Sequence, residues 1–139
     1  MMKKGLLILM MILGIALVAC GGGETAVSEE AIDVANLPDT VDVQTVADLL
    51  DNEDVYVLDV REQWEYDEGH IPGITLLPMN EVPANLDQIP TDKEVILTCR
   101  SGNRSGQVTD YLREQGFDNV HNMEGGILAW EAAGLPVEK

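Results

Sequence analysis

Two short, uninterrupted runs of apolar residues constrain the fold of this chain more than any other feature. Val55-Tyr56-Val57-Leu58 is one of them, and Glu94 to Thr98 is the other. Neither run alternates polar and apolar residues, which is typical of parallel strands that are covered on both faces. Weaker strand candidates lie at Val41 to Val43, Ile74 to Leu77 and Asn119 to Asn122.

Amphipathic stretches separate these strand candidates. We predict a helix capped by Thr45, a helix from Gln107 to Gln115 that stops at Gly116, and a short closing helix from Gly126 to Ala133. Alternating strands and helices indicate an α/β domain with a mostly parallel sheet. The chain has 139 residues, which suffices for one such domain.

The composition excludes several function classes. Asp and Glu number 25 against 8 Lys and Arg, and the net charge of −17 disfavours nucleic acid as a partner. Two cysteines, Cys20 and Cys99, are too few for a disulfide-rich scaffold. His70 and His121 follow no metal-ligand spacing, so we predict neither a metal nor any other cofactor.

The N-terminus has the pattern of an export signal. Lys3 and Lys4 precede an uncharged run from Gly5 to Ala19, which is shorter than a membrane span of about 20 residues. The run ends Leu17-Val18-Ala19-Cys20 and resembles the lipobox of bacterial lipoproteins. The resemblance implies a signal peptide over 1–19, cleavage before Cys20, and attachment of palmitate-type lipid to that cysteine. An uncleaved anchor and an ordinary cleavable signal are the alternatives.

This interpretation places the mature protein outside the cytoplasm, in the cell envelope, anchored to a membrane by lipid. Residues 20–40 are Gly-rich and then acidic, so we predict a flexible tether there that spans about 25 Å. The folded domain is then expected over 41–139. Cys99 would be the one free thiol of the mature chain, and we expect a separate extracytoplasmic thiol reductant to keep it reduced.

The chemistry is predicted where the strand Glu94 to Thr98 ends. The loop that follows reads Cys99-Arg100-Ser101-Gly102-Asn103-Arg104-Ser105, and a helix comes next. Ligands of α/β sheets bind beyond the carboxyl ends of strands, and a loop entering a helix presents unpaired N–H groups to anions. A cysteine there should have a lowered pKa and act as a nucleophile on an anionic substrate. The alternative is a packed cysteine beside an ordinary turn.

Four segments together resemble the rhodanese-like family of single-domain sulfurtransferases. They are Asp59-Val60-Arg61-Glu62, Glu68-Gly69-His70-Ile71-Pro72-Gly73, the loop from Cys99 to Ser105, and Glu124-Gly125-Gly126-Ile127-Leu128-Ala129-Trp130. The resemblance implies a three-layer α/β domain whose five-stranded, mostly parallel sheet is flanked by helices. It also implies that Cys99 takes a sulfane sulfur from a small anionic donor such as thiosulfate and holds it as a persulfide. An acceptor, cyanide in assays or a thiol in the cell, then removes that sulfur.

The family likeness extends to the residues around the cysteine. The backbone N–H groups of Arg100 to Ser105 would stabilise the persulfide and the leaving group, and Arg100 and Arg104 would orient the donor. Asp59 and Arg61 are expected to support the loop. His70 is predicted to bond to backbone in a turn, with a role as general base as the alternative.

Further predictions concern residues outside the loop. We predict that Trp64 and Tyr66 cover the sheet, with a role in shaping access to the site as the alternative for either. Trp130 is expected in the core or at its rim, with a place in the pocket lining as the alternative, and His121 is expected to be incidental.

Loop length separates related enzymes. Cys99 and Arg104 form C-x4-R, whereas similar phosphatases and arsenate reductases use C-x5-R to surround a larger oxyanion. The shorter loop favours sulfur chemistry. A module that only binds an anion or a partner, or relays persulfide sulfur, remains the other alternative.

Overall fold

A computed structural model describes residues 30–139. The strands are β1 (Thr40–Val41), β2 (Val55–Asp59), β3 (Thr75–Leu76), β4 (Glu94–Thr98) and β5 (Val120–Met123). The helices are α1 (Val43–Leu49), α2 (Gln63–Glu68), α3 (Asn103–Glu114) and α4 (Gly126–Ala132). Short 3-10 helices occupy Val34–Asn36, Met79–Ala84 and Leu86–Gln88.

The five strands form one sheet in the order β1-β5-β4-β2-β3, and every pair is parallel. The longest pairing joins β2 to β4, from Val55 opposite Glu94 to Asp59 opposite Thr98. Strands β2 and β4 therefore end side by side at the same edge of the sheet. This register brings the residues after Asp59 next to the residues after Thr98.

Helices cover both faces of the sheet, which explains the continuous apolar runs. Val57 and Ile96 face a cluster that includes Trp130 of α4. Leu58 and Leu97 face the opposite cluster, which includes residues of α3. The expected three-layer α/β fold with a five-stranded sheet is thus confirmed, and the sheet is parallel throughout.

All five predicted strands are present, with boundaries shifted by one or two residues at the weaker ones. The largest difference is at the first, where a helix takes over from the strand immediately after Val41. Asp42, and not Thr45, caps α1, because the Asp42 carboxylate accepts the Thr45 N–H at 2.9 Å.

One further helix prediction needs correction, and one helix was missed. Helix α3 begins at Asn103 and not at Gln107, because Gly102 adopts φ 92° and turns the chain straight from the loop into the helix. Helix α2 was not predicted. It is only six residues long, and its start is fixed by the Glu65 carboxylate, which accepts the backbone N–H of Glu62 at 3.0 Å.

The folded domain begins earlier than residue 41. Val34 and Leu37 pack against the core, and Thr40 pairs with Asn122 in the sheet. Ala31 to Lys139 form one compact unit, so the last ten residues of the predicted tether belong to the domain. The predicted signal peptide and Cys20 lie outside the described residues. No helix within 30–139 combines the length and the apolar character needed to cross a membrane.

The aromatic side chains divide between core and surface. Trp130 is fully buried, as predicted, and its indole N–H donates to the carbonyl of Pro136 at 2.8 Å. Tyr66 packs against the core. The prediction that Trp64 covers the sheet is wrong, because this side chain is 63% exposed.

Candidate active site

The Cys99 thiol lies where the loop between β4 and α3 begins. Strand β4 ends at Thr98, and α3 starts only four residues after the cysteine. Cys99 is 1% exposed, and its Sγ accepts the backbone N–H of Gly102 at 3.1 Å. The sulfur therefore lies against the N-terminal turn of a twelve-residue helix, where the partial positive charge of the helix favours an anion.

Two opposing effects set the protonation of this thiol. Burial acts to raise the pKa of Cys99, whereas hydrogen bonds from the Ser105 hydroxyl and from the backbone of Ser105, Ser101 and Gly102 lower it. The hydrogen bonds outweigh the burial, so the pKa lies below its ordinary value. Residues 99–105 thus have the electrostatics that the sequence predicted for a nucleophilic cysteine.

The loop is attached to α4 by backbone hydrogen bonds. The N–H groups of Ile127 and Leu128 donate to the carbonyls of Cys99 and Arg100, at 2.9 and 3.1 Å. This close approach requires glycine at 126, because a Cβ there would lie 2.5 Å from the Arg100 carbonyl and the backbone φ is +59°. The Gly-Gly pair therefore fixes the loop as well as the turn into α4.

Arg104 is held by Glu65. Its two terminal guanidinium nitrogens donate to the two carboxylate oxygens of Glu65, each at 2.7 Å. This bond, opposed by burial, lowers the pKa of Glu65 from 4.5 to about 2. The sequence assigned Arg104 to the donor, but in the structure this side chain braces α3 against α2.

Asp59 and Arg61 form a second, deeper ion pair. Arg61 donates to Asp59 at 2.7 Å, and both side chains are almost fully buried. The same guanidinium donates to the carbonyls of Glu65 and Gly69, at 3.3 and 2.9 Å. The pair therefore fixes α2, and α2 presents Glu65 to Arg104. The Asp59–Arg61 pair therefore supports the loop that follows Cys99 only indirectly, through α2 and Glu65.

The remaining loop residues point in different directions. Arg100 is exposed, and its side chain makes no hydrogen bond or ion pair within 30–139. The Asn103 side-chain oxygen accepts from Gln107 at 2.7 Å, away from the sulfur. Ser101 is exposed and contributes through its backbone, and Ser105 is fully buried with its Oγ 3.4 Å from Sγ.

A pocket of about 270 Å³ opens beside the loop. Arg100 and Ile127 form its wall on the loop side. The other lining residues come from the turn after β2, from α2 and from α4: Arg61, Trp64, Glu65, Glu68, Gly69, Leu128 and Glu131. Arg100 is the cation of this pocket that no carboxylate holds within the described part of the chain.

Both histidines have structural roles. His70 Nδ1 donates to the Tyr66 carbonyl at 2.8 Å, which confirms its bonding to backbone. His121 is not incidental: it is buried and bonds to the Pro38 carbonyl and to the Glu94 carboxylate, each at 2.7 Å. Among residues 30–139, no three His, Cys, Asp or Glu side chains are grouped to hold a metal ion.

Sequence reasoning missed two side chains that bond to residues of the loop. Glu65 carries a signal that could have been read, because Glu three residues after a helix cap marks a capping box. Asn122 carries none: it lies 17 residues from Ser105 in the chain, yet its side-chain oxygen lies 2.6 Å from the Ser105 Oγ.

A comparison with known proteins identifies the family. The family model for the rhodanese-like domain matches residues 42–133. The chain belongs to this family.

Several named relatives of this rhodanese-like domain are sulfurtransferases, whereas others, at 27% identity, are tRNA uridine(34) hydroxylases of Yersinia. A sulfurtransferase of Allochromatium vinosum is 45% identical over 89 residues, which are 64% of this chain and 83% of the relative. The thiosulfate sulfurtransferase GlpE of Pseudoalteromonas translucida is 38% identical over 93 residues, 67% of this chain and 89% of GlpE. The chain is thus a sulfurtransferase of the rhodanese type by family.

Solved structures show the same fold. The crystal structure of a rhodanese-related protein from Thermoplasma volcanium matches with a TM-score of 0.67 and 29% identity. The match covers 73% of this chain and 98% of that one.

The Glu65–Arg104 pair generates a stability prediction. We expect Glu65→Gln to lower the free energy of unfolding at pH 7 by about 2 kcal/mol, because the variant loses charge-assisted bonds and leaves a half-buried guanidinium short of partners. The Glu65 pKa is depressed in the folded state, so its contribution is complete above pH 4.5 and is lost as the pH falls toward 2. Urea unfolding of parent and variant across this range measures both effects.

Glu68→Gln is the matched control, because Glu68 is exposed on the same helix and makes no side-chain bond within the described residues. Equal stabilities of Glu65→Gln and Glu68→Gln at pH 7 would contradict the prediction.

Gly126 generates a second prediction. Gly126→Ala places a methyl group against the Arg100 carbonyl, so we expect a loss of about 1–3 kcal/mol beyond the cost of the positive φ. Gly134→Ala is the control, because Gly134 has φ +73° with open space around its Cβ position. Urea unfolding compares the two variants, and equal losses would show that the loop tolerates a side chain at 126.

Proposed function

We propose that the protein transfers sulfane sulfur through a persulfide on Cys99. The observation that carries this proposal is the buried Cys99 sulfur that accepts the Gly102 N–H. Arg100, which no side chain among residues 30–139 pairs, lines the adjacent pocket. A thiol with a lowered pKa in a field of N–H donors is suited to attack an electrophilic sulfur whose leaving group is anionic.

In the first step, the Cys99 thiolate attacks the outer sulfur of thiosulfate or a similar donor. A bond forms between Sγ and that sulfur, and the donor's sulfur–sulfur bond breaks with its electron pair leaving on sulfite. Arg100 is the side chain free to attract the donor's anionic end, while Arg104 remains on Glu65. The loop N–H groups face the negative charge of the resulting persulfide.

In the second step, an acceptor thiolate or cyanide attacks the outer sulfur. The persulfide bond breaks, its electron pair returns to Sγ, and Cys99 is again a thiolate. The same N–H groups that favour the attacking thiolate favour this leaving group. Neither step requires an external oxidant or reductant, because both are displacements at sulfur in which the electron pairs balance.

The envelope location belongs to this proposal too. The lipobox at Leu17 to Cys20 supports export and attachment of the protein to a membrane through lipid on Cys20. Cys99 has no disulfide partner in the described part of the chain, so outside the cytoplasm a thiol reductant would have to keep it reduced.

The sulfur carrier is tested with the full-length chain and its Cys99→Ser variant. After incubation of reduced protein with thiosulfate, we expect the Cys99 peptide to gain the mass of one sulfur atom, and cyanide to release that atom as thiocyanate. The variant should give neither result, because its hydroxyl is a poor nucleophile toward sulfur. Folded, reduced parent protein that loads no sulfur from thiosulfate or from a persulfide donor would favour a binding module, and hydrolysis of an aryl phosphate would favour a phosphatase.

The anchor is tested with Cys20→Ser in cells of a bacterium that processes lipoproteins. We expect the parent to partition with membranes and to carry acyl groups at Cys20, and the variant to lack both lipid and cleavage before residue 20. Cys99→Ser is the control, because it removes a thiol without touching the lipobox. Identical fractionation and mass of parent and Cys20→Ser would contradict lipidation.

A further inference from the structure

The Ser105 hydroxyl lies between two acceptors but owns a single proton. Its Oγ is 2.6 Å from Oδ1 of Asn122 and 3.4 Å from Sγ of Cys99. Ser105 is fully buried, so solvent does not compete for the group. The proton can be on one of these two bonds at a time.

The orientation of the Asn122 amide follows from its other contact. Its Nδ2 lies 3.1 Å from the carbonyl oxygen of Gly102, and a carbonyl can only accept. The amide nitrogen must therefore face Gly102, which turns Oδ1 toward Ser105.

Asn122 therefore closes a ring of hydrogen bonds around the sulfur. Gly102 donates its N–H to Sγ and accepts the Asn122 amide at its carbonyl, and Asn122 in turn accepts from Ser105. The oxygen–oxygen distance of 2.6 Å is short for a hydroxyl bond, and it requires a proton between the two oxygens, because Asn122 Oδ1 can only accept. The 3.4 Å contact with the larger sulfur atom is of ordinary length. The resting geometry places the proton on the side of Asn122.

We propose that Asn122 is a positioning residue that holds the Ser105 hydroxyl proton away from the Cys99 sulfur, so that the hydroxyl donates to sulfur only when negative charge is on it. The proposal rests on the proposed function, in which Sγ becomes a thiolate before attack and again when the acceptor leaves with sulfur. It names a residue that acts through Ser105 and does not touch the reacting atoms.

Asn122 affects the thiol and the thiolate of Cys99 differently. In the thiol, the S–H donates to Ser105 Oγ and the hydroxyl donates to Asn122, so every group in the chain is satisfied. When the thiol loses its proton to solvent, the hydroxyl must turn to Sγ and leaves Asn122 Oδ1 without a donor among the described residues. Asn122 thus stabilises the thiol and opposes the thiolate.

Other charged groups surround the sulfur and stay unchanged in an Asn122 variant. Arg100 belongs to the loop, Arg104 on α3 is paired with Glu65 on α2, and Glu131 on α4 lines the pocket. The titratable side chain of β5, His121, bonds to Glu94. The buried Asp59–Arg61 pair is neutral as a unit.

The test is the pH dependence of Cys99 alkylation by iodoacetamide in the full-length protein, with peptide mass spectrometry separating Cys99 from Cys20. We expect Asn122→Leu to move the midpoint about 0.5–1 pH unit lower than in the parent, because the hydroxyl is freed for the thiolate. Ser105→Ala should move it higher, because the thiolate loses a donor. The double variant, with both Ser105→Ala and Asn122→Leu, should have the same alkylation midpoint as Ser105→Ala alone.

Comparing the two single variants with the double variant separates an effect of Asn122 through Ser105 from general damage to the loop. Asn122→Ala provides a second variant of smaller size, and circular dichroism with urea unfolding verifies that each variant is folded. An unchanged or higher midpoint in both folded Asn122 variants overturns the proposal. So does a shift by Asn122→Leu of equal size with and without the Ser105 hydroxyl. Alkylation needs no sulfur donor, so these outcomes are independent of whether thiosulfate loads Cys99.

Discussion

The attachment of the cysteine loop to the first turn of α4 is the constraint on which the rest of the site depends. Two backbone N–H groups of α4 hold the carbonyls of Cys99 and Arg100. With its carbonyls tied on this side, the loop turns its own N–H groups inward to the sulfur. Only glycine at 126 permits the approach. The chemistry of the thiol is thus a consequence of how closely two backbones meet.

Two ion pairs, one in the interior and one closer to the loop, neutralise most of the charged side chains around the loop. Asp59 and Arg61 neutralise each other in the interior while fixing α2. Glu65 on α2 then neutralises Arg104. Burying an ionised group is costly unless it is paired and hydrogen-bonded. These two ion pairs therefore allow four charged side chains to lie beside the sheet. Arg100, beside the pocket, has no carboxylate partner among residues 30–139, in a chain whose net charge is −17. Attraction of an anionic donor is therefore local, and screening at physiological salt limits the opposing field of the distant carboxylates to about 8 Å.

The thiol environment balances opposing demands. Burial shields the Cys99 sulfur from solvent but disfavours the thiolate. The N–H groups of the loop favour the thiolate, and they can do so because the backbone holds them in place. The Ser105 hydroxyl is the adjustable member of this set, because it can rotate whereas a backbone N–H cannot. Asn122 sets the direction of that rotation from a neighbouring strand. The reactivity of the cysteine is consequently shared between its own loop and β5.

The sequence alone determined the α/β class, the five strands and the placement of Cys99 at a strand end before a helix, because these depend on local apolar runs and on glycine turns. It also identified the loop residues, which are contiguous. Only the tertiary structure decided that Arg104 is held by Glu65, 39 residues away, that Trp64 faces solvent, and that Asn122 reaches Ser105. These contacts depend on which parallel strands are neighbours and on the register between them. Residues far apart in the chain meet only when β4 lies between β2 and β5, and no local pattern encodes that order.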